Sequence, residues 1–307
     1  MKIAILCQQE PMSKAQIKHL IERHLPEAGL FDTRIKGVQL FRVIKAMPCA
    51  PAVYEPTVVA ILGGTKEAVL DGEHHVYGRD RYLLCPMTLP VEAGTPHASD
   101  EDPLLGVVIS LETRMMRELS LEIEAAERGV RKSAEGVPSA LTLAAWDAGF
   151  TQALFRLLEL LDNPLALEVL GPGRMRELCY AVLMGEAGAA ARRAFGVGNE
   201  IALTIDYLSN RLEEQVTIDD LADHVGMSRA VFHRRFKEAT SMSPIQFVKS
   251  MRLNNAAMKI AAGESVSQAA WDVGYQSASQ FSREFRRMYG QSPRQWSHSR
   301  FPTTGVV

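Results

Sequence analysis

The chain has 307 residues, enough for two domains of ordinary size, each with its own core. Hydrophobic residues make up 47%, charged residues 23% and aromatic residues 7%, a profile that excludes a disordered or fibrous chain. The net charge of -2 hides a division: residues 226–307 carry 12 Lys and Arg against 4 Asp and Glu, a net of +8, and residues 1–225 carry 22 against 32, a net of -10.

At the amino terminus, the apolar run Ile3 to Cys7 is too short for a secretory segment, and no stretch approaches the roughly 20 apolar residues of a membrane helix. A cytoplasmic protein with no membrane partner is expected. From Gly37 to about Leu111 the pattern is of short strands. Apolar runs at Val38 to Val43, Val58 to Leu62 and Leu105 to Leu111 are punctuated by Gly63-Gly64, Asp71-Gly72, Gly78 and Pro86. That pattern fits a small barrel or sandwich.

Within this stretch, His74, His75, His97 and Glu92 raise a metal reading. Their spacing lacks the HxH with a following Glu that such a site would use, so surface or turn histidines are expected, with no cofactor. Cys7, Cys49, Cys85 and Cys179 are widely spaced, without a CxxC pair or a secreted-type framework, so reduced thiols are expected. A redox or electrophile sensor at Cys49 or Cys85 is the alternative to inert buried thiols.

Helical periodicity begins after Glu112 and runs through Arg128 to a Gly-rich break around Gly136. It returns from Thr151 with Leu154, Leu157, Leu158 and Leu161, stops at Asp162-Asn163-Pro164, and resumes with Met175, Leu178, Cys179, Val182 and Leu183. This last stripe either pairs with a second copy or packs on the barrel. The Gly- and Ala-rich run Gly185 to Gly198 reads as a linker. The expected division is therefore a sensing and dimerising domain over 1–190, a linker over 191–200 and a carboxyl-terminal domain over 201–307.

The last segment contains an internal repeat. Ile218, Leu221, Ala222, Val225 and Gly226 recur 48 residues later as Val266, Ala269, Ala270, Val273 and Gly274. After one inserted residue, Ser228, Phe232, Arg234, Phe236, Ser243, Pro244 and Phe247 recur as Ser277, Phe281, Arg283, Phe285, Ser292, Pro293 and Trp296. Each copy has the parts of a helix-turn-helix. A first helix carries an i, i+3, i+4, i+7 apolar stripe behind a capping Thr217 or Ser265, a glycine makes the turn, and Ser228 or Ser277 caps a second helix.

With Phe232, Phe236 and Ala239 turned inward, the opposite face of that second helix presents Ala230, His233, Arg234 and Lys237. The second copy presents Ser279, Ser282, Arg283 and Arg286. Arg matches the O6 and N7 acceptors of guanine, and Ala and Ser let a helix sit deep in the major groove. Lys237, Arg286 and Arg287 are read as phosphate contacts, in keeping with the local charge of +8. Between the copies, Ser243-Pro244 opens a long helix through Val248, Met251, Leu253 and Ala257 that sets their separation.

These residues resemble the AraC-type transcription regulators. The likeness runs from Thr217 to Trp296 and is strongest in Val273-Gly274-Tyr275-Gln276-Ser277, Ser279-Gln280-Phe281-Ser282-Arg283 and Gly290-Gln291-Ser292-Pro293. It implies base contacts at Ala230, His233 and Arg234 in one unit and at Ser279, Gln280 and Arg283 in the other. Tyr54-Glu55-Pro56, Gly64-Thr65-Lys66, Tyr77, Tyr82-Leu83, Leu89-Pro90-Val91, Arg156-Leu157-Leu158 and Leu161-Asp162-Asn163-Pro164 are similar to the cupin-like sensor of one subgroup. The resemblance implies an α+β protein of two domains, a cupin-like barrel with helices followed by an all-α double helix-turn-helix. It also implies double-stranded DNA, a small-molecule effector, RNA polymerase and a second copy of the chain as partners. A cupin-type isomerase or dioxygenase and a protein-binding adaptor are the competing readings. No phosphate loop, nucleophile elbow or carboxylate pair supports the enzyme.

Overall fold

The computed structural model describes residues 14–127, 140–196, 199–214 and 216–298. The strand-rich half contains two antiparallel sheets. One has the strand order β1 (Gly29–Asp32), β2 (Val38–Val43), β9 (Leu104–Ser110), β4 (Thr57–Gly63), β7 (Arg81–Cys85) and β10 (Thr142–Ala145). The other has the order β3 (Met47–Tyr54), β8 (Leu89–Thr95), β5 (Thr65–Leu70) and β6 (Glu73–Gly78). The apolar run of β4 is buried along its whole length, as expected for a central strand covered on both faces. In β5, by contrast, Lys66, Ala68 and Leu70 are buried and the residues between them are partly exposed, the alternation of a strand with one covered face. Asp71 and Gly72 both take positive φ, 48° and 81°, which closes the two-residue hairpin between β5 and β6 with a twist matching the strands.

Helices cover this half. α1 (Lys14–His24) buries Ile17, Leu20 and Ile21. α2 (Thr113–Glu127), α3 (Ala148–Leu158) and α4 (Pro164–Met184) follow the expected periodicity, while Cys7, Arg128 and the break at Gly136 lie outside the described residues. Asp147 caps α3 by accepting from Phe150 N at 2.7 Å, and Asn163 caps α4 ahead of Pro164. Of the stripe on α4, Leu178, Val182 and Leu183 are buried and Met175 packs against the same core, so this face is turned to the body of the molecule. Leu165, Val169 and Leu170 on the same helix are exposed.

The Gly- and Ala-rich run differs from its reading as a linker. Residues 188–195 form α5 (Gly188–Phe195), with Ala190, Ala191, Ala194 and Phe195 buried, because short side chains let the helix approach α4 and α2 closely. Gly198, with residue 197, lies outside the described residues.

The carboxyl-terminal half is helical: α6 (Glu200–Ser209), α7 (Ile218–His224), α8 (Arg229–Thr240), α9 (Pro244–Ala261), α10 (Val266–Asp272), α11 (Ala278–Tyr289) and α12 (Pro293–Trp296). Among the described residues no helix is long and apolar enough to cross a membrane.

Candidate nucleic-acid interface

The two copies of the repeat fold as two helix-turn-helix units, α7–α8 and α10–α11, joined by α9. Thr217 caps α7 in a capping box with Asp220, and Ser265 caps α10 by accepting from Gln268 N. The turns follow at Gly226, φ 64°, and Gly274, φ 86°, where a side chain would be strained. Ser228 accepts from Val231 N and Ser277 from Gln280 N, so each second helix starts at the serine expected to cap it.

Burial divides each second helix. On α8, Phe232 and Phe236 are fully covered and pack ring to ring, and Ala230, His233, Arg234 and Lys237 are exposed. On α11, Phe281 and Phe285 are covered, Ser279, Gln280, Arg283 and Arg286 are exposed, and Ser282 is half-buried. The neighbouring arginines behave differently: Arg229 pairs with Asp219 at 3.4 Å and Arg235 with Glu200 at 3.9 Å. Among the described residues Arg234, Lys237, Arg283, Arg286 and Arg287 enter no ion pair, so their charge stays available to a polyanion. Gln280 and Ser279 are partly committed, Gln280 to Glu284 at 3.3 Å and Ser279 to the Ser277 hydroxyl at 2.9 Å.

Sequence reasoning missed the residues that hold α9. Arg252 donates to the carbonyls of Leu212 and Glu214 at 2.9 and 2.8 Å, closing the α6–α7 connection. Asn254, 1% exposed, reaches the barrel: its Nδ2 lies 2.8 Å from the carbonyls of both Ala52 and Val91. A polar pair, Asn254-Asn255, inside the apolar run Met251 to Ala257 was the signal available.

On the barrel side, a cleft of about 470 Å³ lies between the two halves, with Lys36, Glu55 and Thr88 on one wall and Asp206, Asn210 and Asn255 on the other. The histidine candidates and the sensor candidates Cys49 and Cys85 are placed apart from it, whereas Cys179 lines it. His74 Nδ1 contacts Glu67, and the Cys49 thiol donates to Glu67 at 3.5 Å. Burial and the Glu67 carboxylate push the Cys49 thiol up to about 11, and burial pushes Cys85 up to about 12, so both are thiols at neutral pH. A reactive sensor thiol requires the opposite shift. Among the described residues no three His, Cys, Asp or Glu side chains are grouped to hold a metal ion.

Two family models match the chain: the AraC-type transcriptional regulator N-terminus over residues 34–190 and a helix-turn-helix domain over residues 221–299. The chain is 36% identical over 93 residues to the HTH-type transcriptional regulator MtrA of Neisseria gonorrhoeae, covering 30% of this chain and 31% of that protein. It is 28% identical over 98 residues to the HTH-type transcriptional activator RhaS of Pectobacterium carotovorum, covering 32% and 35%. The chain thus spans about a third of the length of these curated relatives. Across nearly its whole length it shares the fold of ToxT from Vibrio cholerae, with a TM-score of 0.53 at 11% identity, covering 85% of this chain and 97% of ToxT. A second ToxT structure, with an unsaturated fatty acid bound, gives a TM-score of 0.53 at 12% identity, covering 88% and 96%. The matching families and relatives are regulators of transcription, not enzymes.

Proposed function

Because the chain belongs to the AraC-type transcriptional regulators and is a DNA-binding protein of that family, we propose that it reads a bipartite DNA site with α8 and α11 and is controlled by a small molecule held by its amino-terminal half. The observation that carries the DNA reading is the pair of equivalent exposed faces, each with an arginine, Arg234 or Arg283, that enters no ion pair among the described residues. Ala230, His233 and Arg234 read one block, and Ser279, Gln280, Ser282 and Arg283 read the other. Lys237, Arg286 and Arg287 hold phosphate. The two reading helices enter the major groove about one helical turn, roughly 34 Å, apart.

The cleft supports the effector reading. Its volume lies in the range of small-molecule sites, and its walls come from residues 36–179 on one side and 206–255 on the other. A ligand that fits one separation of these walls better than another shifts the population of arrangements. Since ToxT has been seen with an unsaturated fatty acid bound, an amphipathic carboxylate is the first ligand class to supply, with Lys36 as its cationic contact. The working division is a sensing part through about residue 190 and a DNA-binding part from about residue 201. A second copy of the chain and RNA polymerase are the protein partners of this reading, in the cytoplasm.

The test is selection of bound duplexes from a random pool at fixed salt, with wild type and Arg283→Ala, each with and without such a carboxylate. Two short blocks one turn apart are expected, with only one of them relaxed in the variant by a discrimination of about 1–3 kcal/mol. Recovery of no motif would sink the DNA reading, and identical selection with and without every ligand tried would sink control by that ligand class.

A further inference from the structure

The two helix-turn-helix units are attached to the barrel in different ways. Phe232 and Phe236 of the first unit, with Phe247 and Met251 of α9, belong to the same apolar cluster as barrel residues such as Val59 and Val108. Phe281 and Phe285 of the second unit, with Trp296 of α12 and Leu253, Ala257 and Ile260 of α9, form a separate cluster that contains no barrel residue. The division falls within α9, between Met251 and Leu253, and the next residue is Asn254.

Asn254 makes a polar bridge across that division. Its Nδ2 donates to the Ala52 carbonyl on β3 and the Val91 carbonyl on β8, each at 2.8 Å, and its Oδ1 accepts from the Tyr289 hydroxyl at 2.8 Å. Tyr289 is the last residue of α11. The amide orientation follows from its partners, since a flipped amide would aim Oδ1 at two carbonyls that can only accept. Burial holds the Tyr289 phenol well above its ordinary value, so it remains a donor throughout the physiological range.

We propose that Asn254 is a positioning residue for the second helix-turn-helix unit. Through it the barrel sheet, and not α9 alone, fixes where the second reading helix stands relative to the first. The physical reason is the difference between apolar and polar contacts. An apolar patch tolerates sliding, whereas a buried amide with three directional partners is satisfied in one docked arrangement and left with unmet bonds in its neighbours. The first unit is already fixed by the core it shares with the barrel, so the bridge sets the distance and angle between the two readers. A bipartite site gains its affinity from the effective concentration of the second reader once the first has bound, and that gain vanishes when the geometry is wrong. Because Ala52 and Val91 lie on paired strands of the sensing half, a ligand that shifts β3 against β8 would reach α11 through a single side chain.

This inference rests on the reading of α8 and α11 as paired DNA readers, and the test separates the two. Full-length wild type, Asn254→Ala and Tyr289→Phe are titrated with the selected bipartite duplex and with the same duplex whose second block is scrambled. Both variants are expected to bind the bipartite duplex about tenfold more weakly and the scrambled duplex with wild-type affinity. Tyr289→Phe removes one hydroxyl and leaves the ring against Phe285 and Trp296, so it decides the matter if Asn254→Ala fails to fold. Wild type that does not distinguish the two duplexes overturns the functional reading itself. Wild type that distinguishes them while a folded variant matches it, or loses both duplexes equally, overturns the positioning role alone.

Discussion

Lys66 lies inside the barrel at 1% exposure, and burial lowers its ammonium from the ordinary 10.5 to about 8. Below pH 8 the amine is charged in both folded and unfolded chains, and the folded state bears the desolvation cost, on the order of 3 kcal/mol for a shift of this size. Between about pH 8 and 10.5 the unfolded chain binds more protons than the folded one, so stability attributable to this group rises with pH across that window. Wild type is therefore expected to gain roughly 2 kcal/mol of stability relative to Lys66→Met between pH 7 and pH 9.5 in urea unfolding. A difference that stays constant across that window means that the folded chain holds the Lys66 amine at its ordinary value. Little of this was legible in the sequence. The alternation of β5 puts Lys66, Ala68 and Leu70 on one face, but only the packed barrel shows that this face is the inner one. The cysteines were ambiguous for the same reason. Burial and the neighbouring Glu67, both products of tertiary structure, make Cys49 a poor nucleophile.

Elements were far more legible, because caps, turns and periodicity are local. The repeat placed both turn glycines, yet it could not show that they differ. Gly226 has φ 64° and open space where a Cβ would stand. Gly274 has φ 86°, and a Cβ there would lie 2.7 Å from the Leu212 carbonyl oxygen and 2.9 Å from that of Glu213. Gly226→Ala then carries only the backbone strain of a left-handed residue, roughly 1 kcal/mol. Gly274→Ala adds a collision with backbone that Arg252 holds in place, and is expected to cost at least twice as much in chemical denaturation. Equal losses would mean that the α6–α7 connection gives way freely. Among the elements not foreseen, α1 did carry a signal, Ile17, Leu20 and Ile21 at helical spacing. The strands β1 and β10 are four residues each, too short for alternation to speak. Helix α5 was masked by a Gly and Ala content that reads as linker until α4 is seen beside it.

At the scale of the whole molecule, sequence patterns state which face of a helix is apolar but not what covers it. The Asn254 bridge joins residues 202 and 163 positions apart, and the Asn254-Asn255 pair in the sequence marks a polar interruption without naming its partners. The same limit applies to α4. Its apolar residues divide into an inner set, Leu178, Val182 and Leu183, and an outer set near the amino-terminal end, Leu165 at 77%, Val169 at 69% and Leu170 at 45% exposure. From the stripe alone, pairing with a second copy and packing on the barrel stood equal. The structure gives the stripe to the body and leaves Leu165 and Val169, about one helical turn apart, exposed, so they are where the proposed second copy would dock. Joined there, two chains would bring four helix-turn-helix units to one DNA molecule. Leu165→Glu combined with Val169→Glu puts two like charges on that surface without disturbing a buried contact. The double variant is therefore expected to sediment as a monomer at micromolar concentration, with a melting temperature within a few degrees of the wild-type monomer's and with binding to a single bipartite site intact. Wild type that is itself monomeric at that concentration, or a double variant that still dimerises, would move the assembly surface elsewhere on the chain.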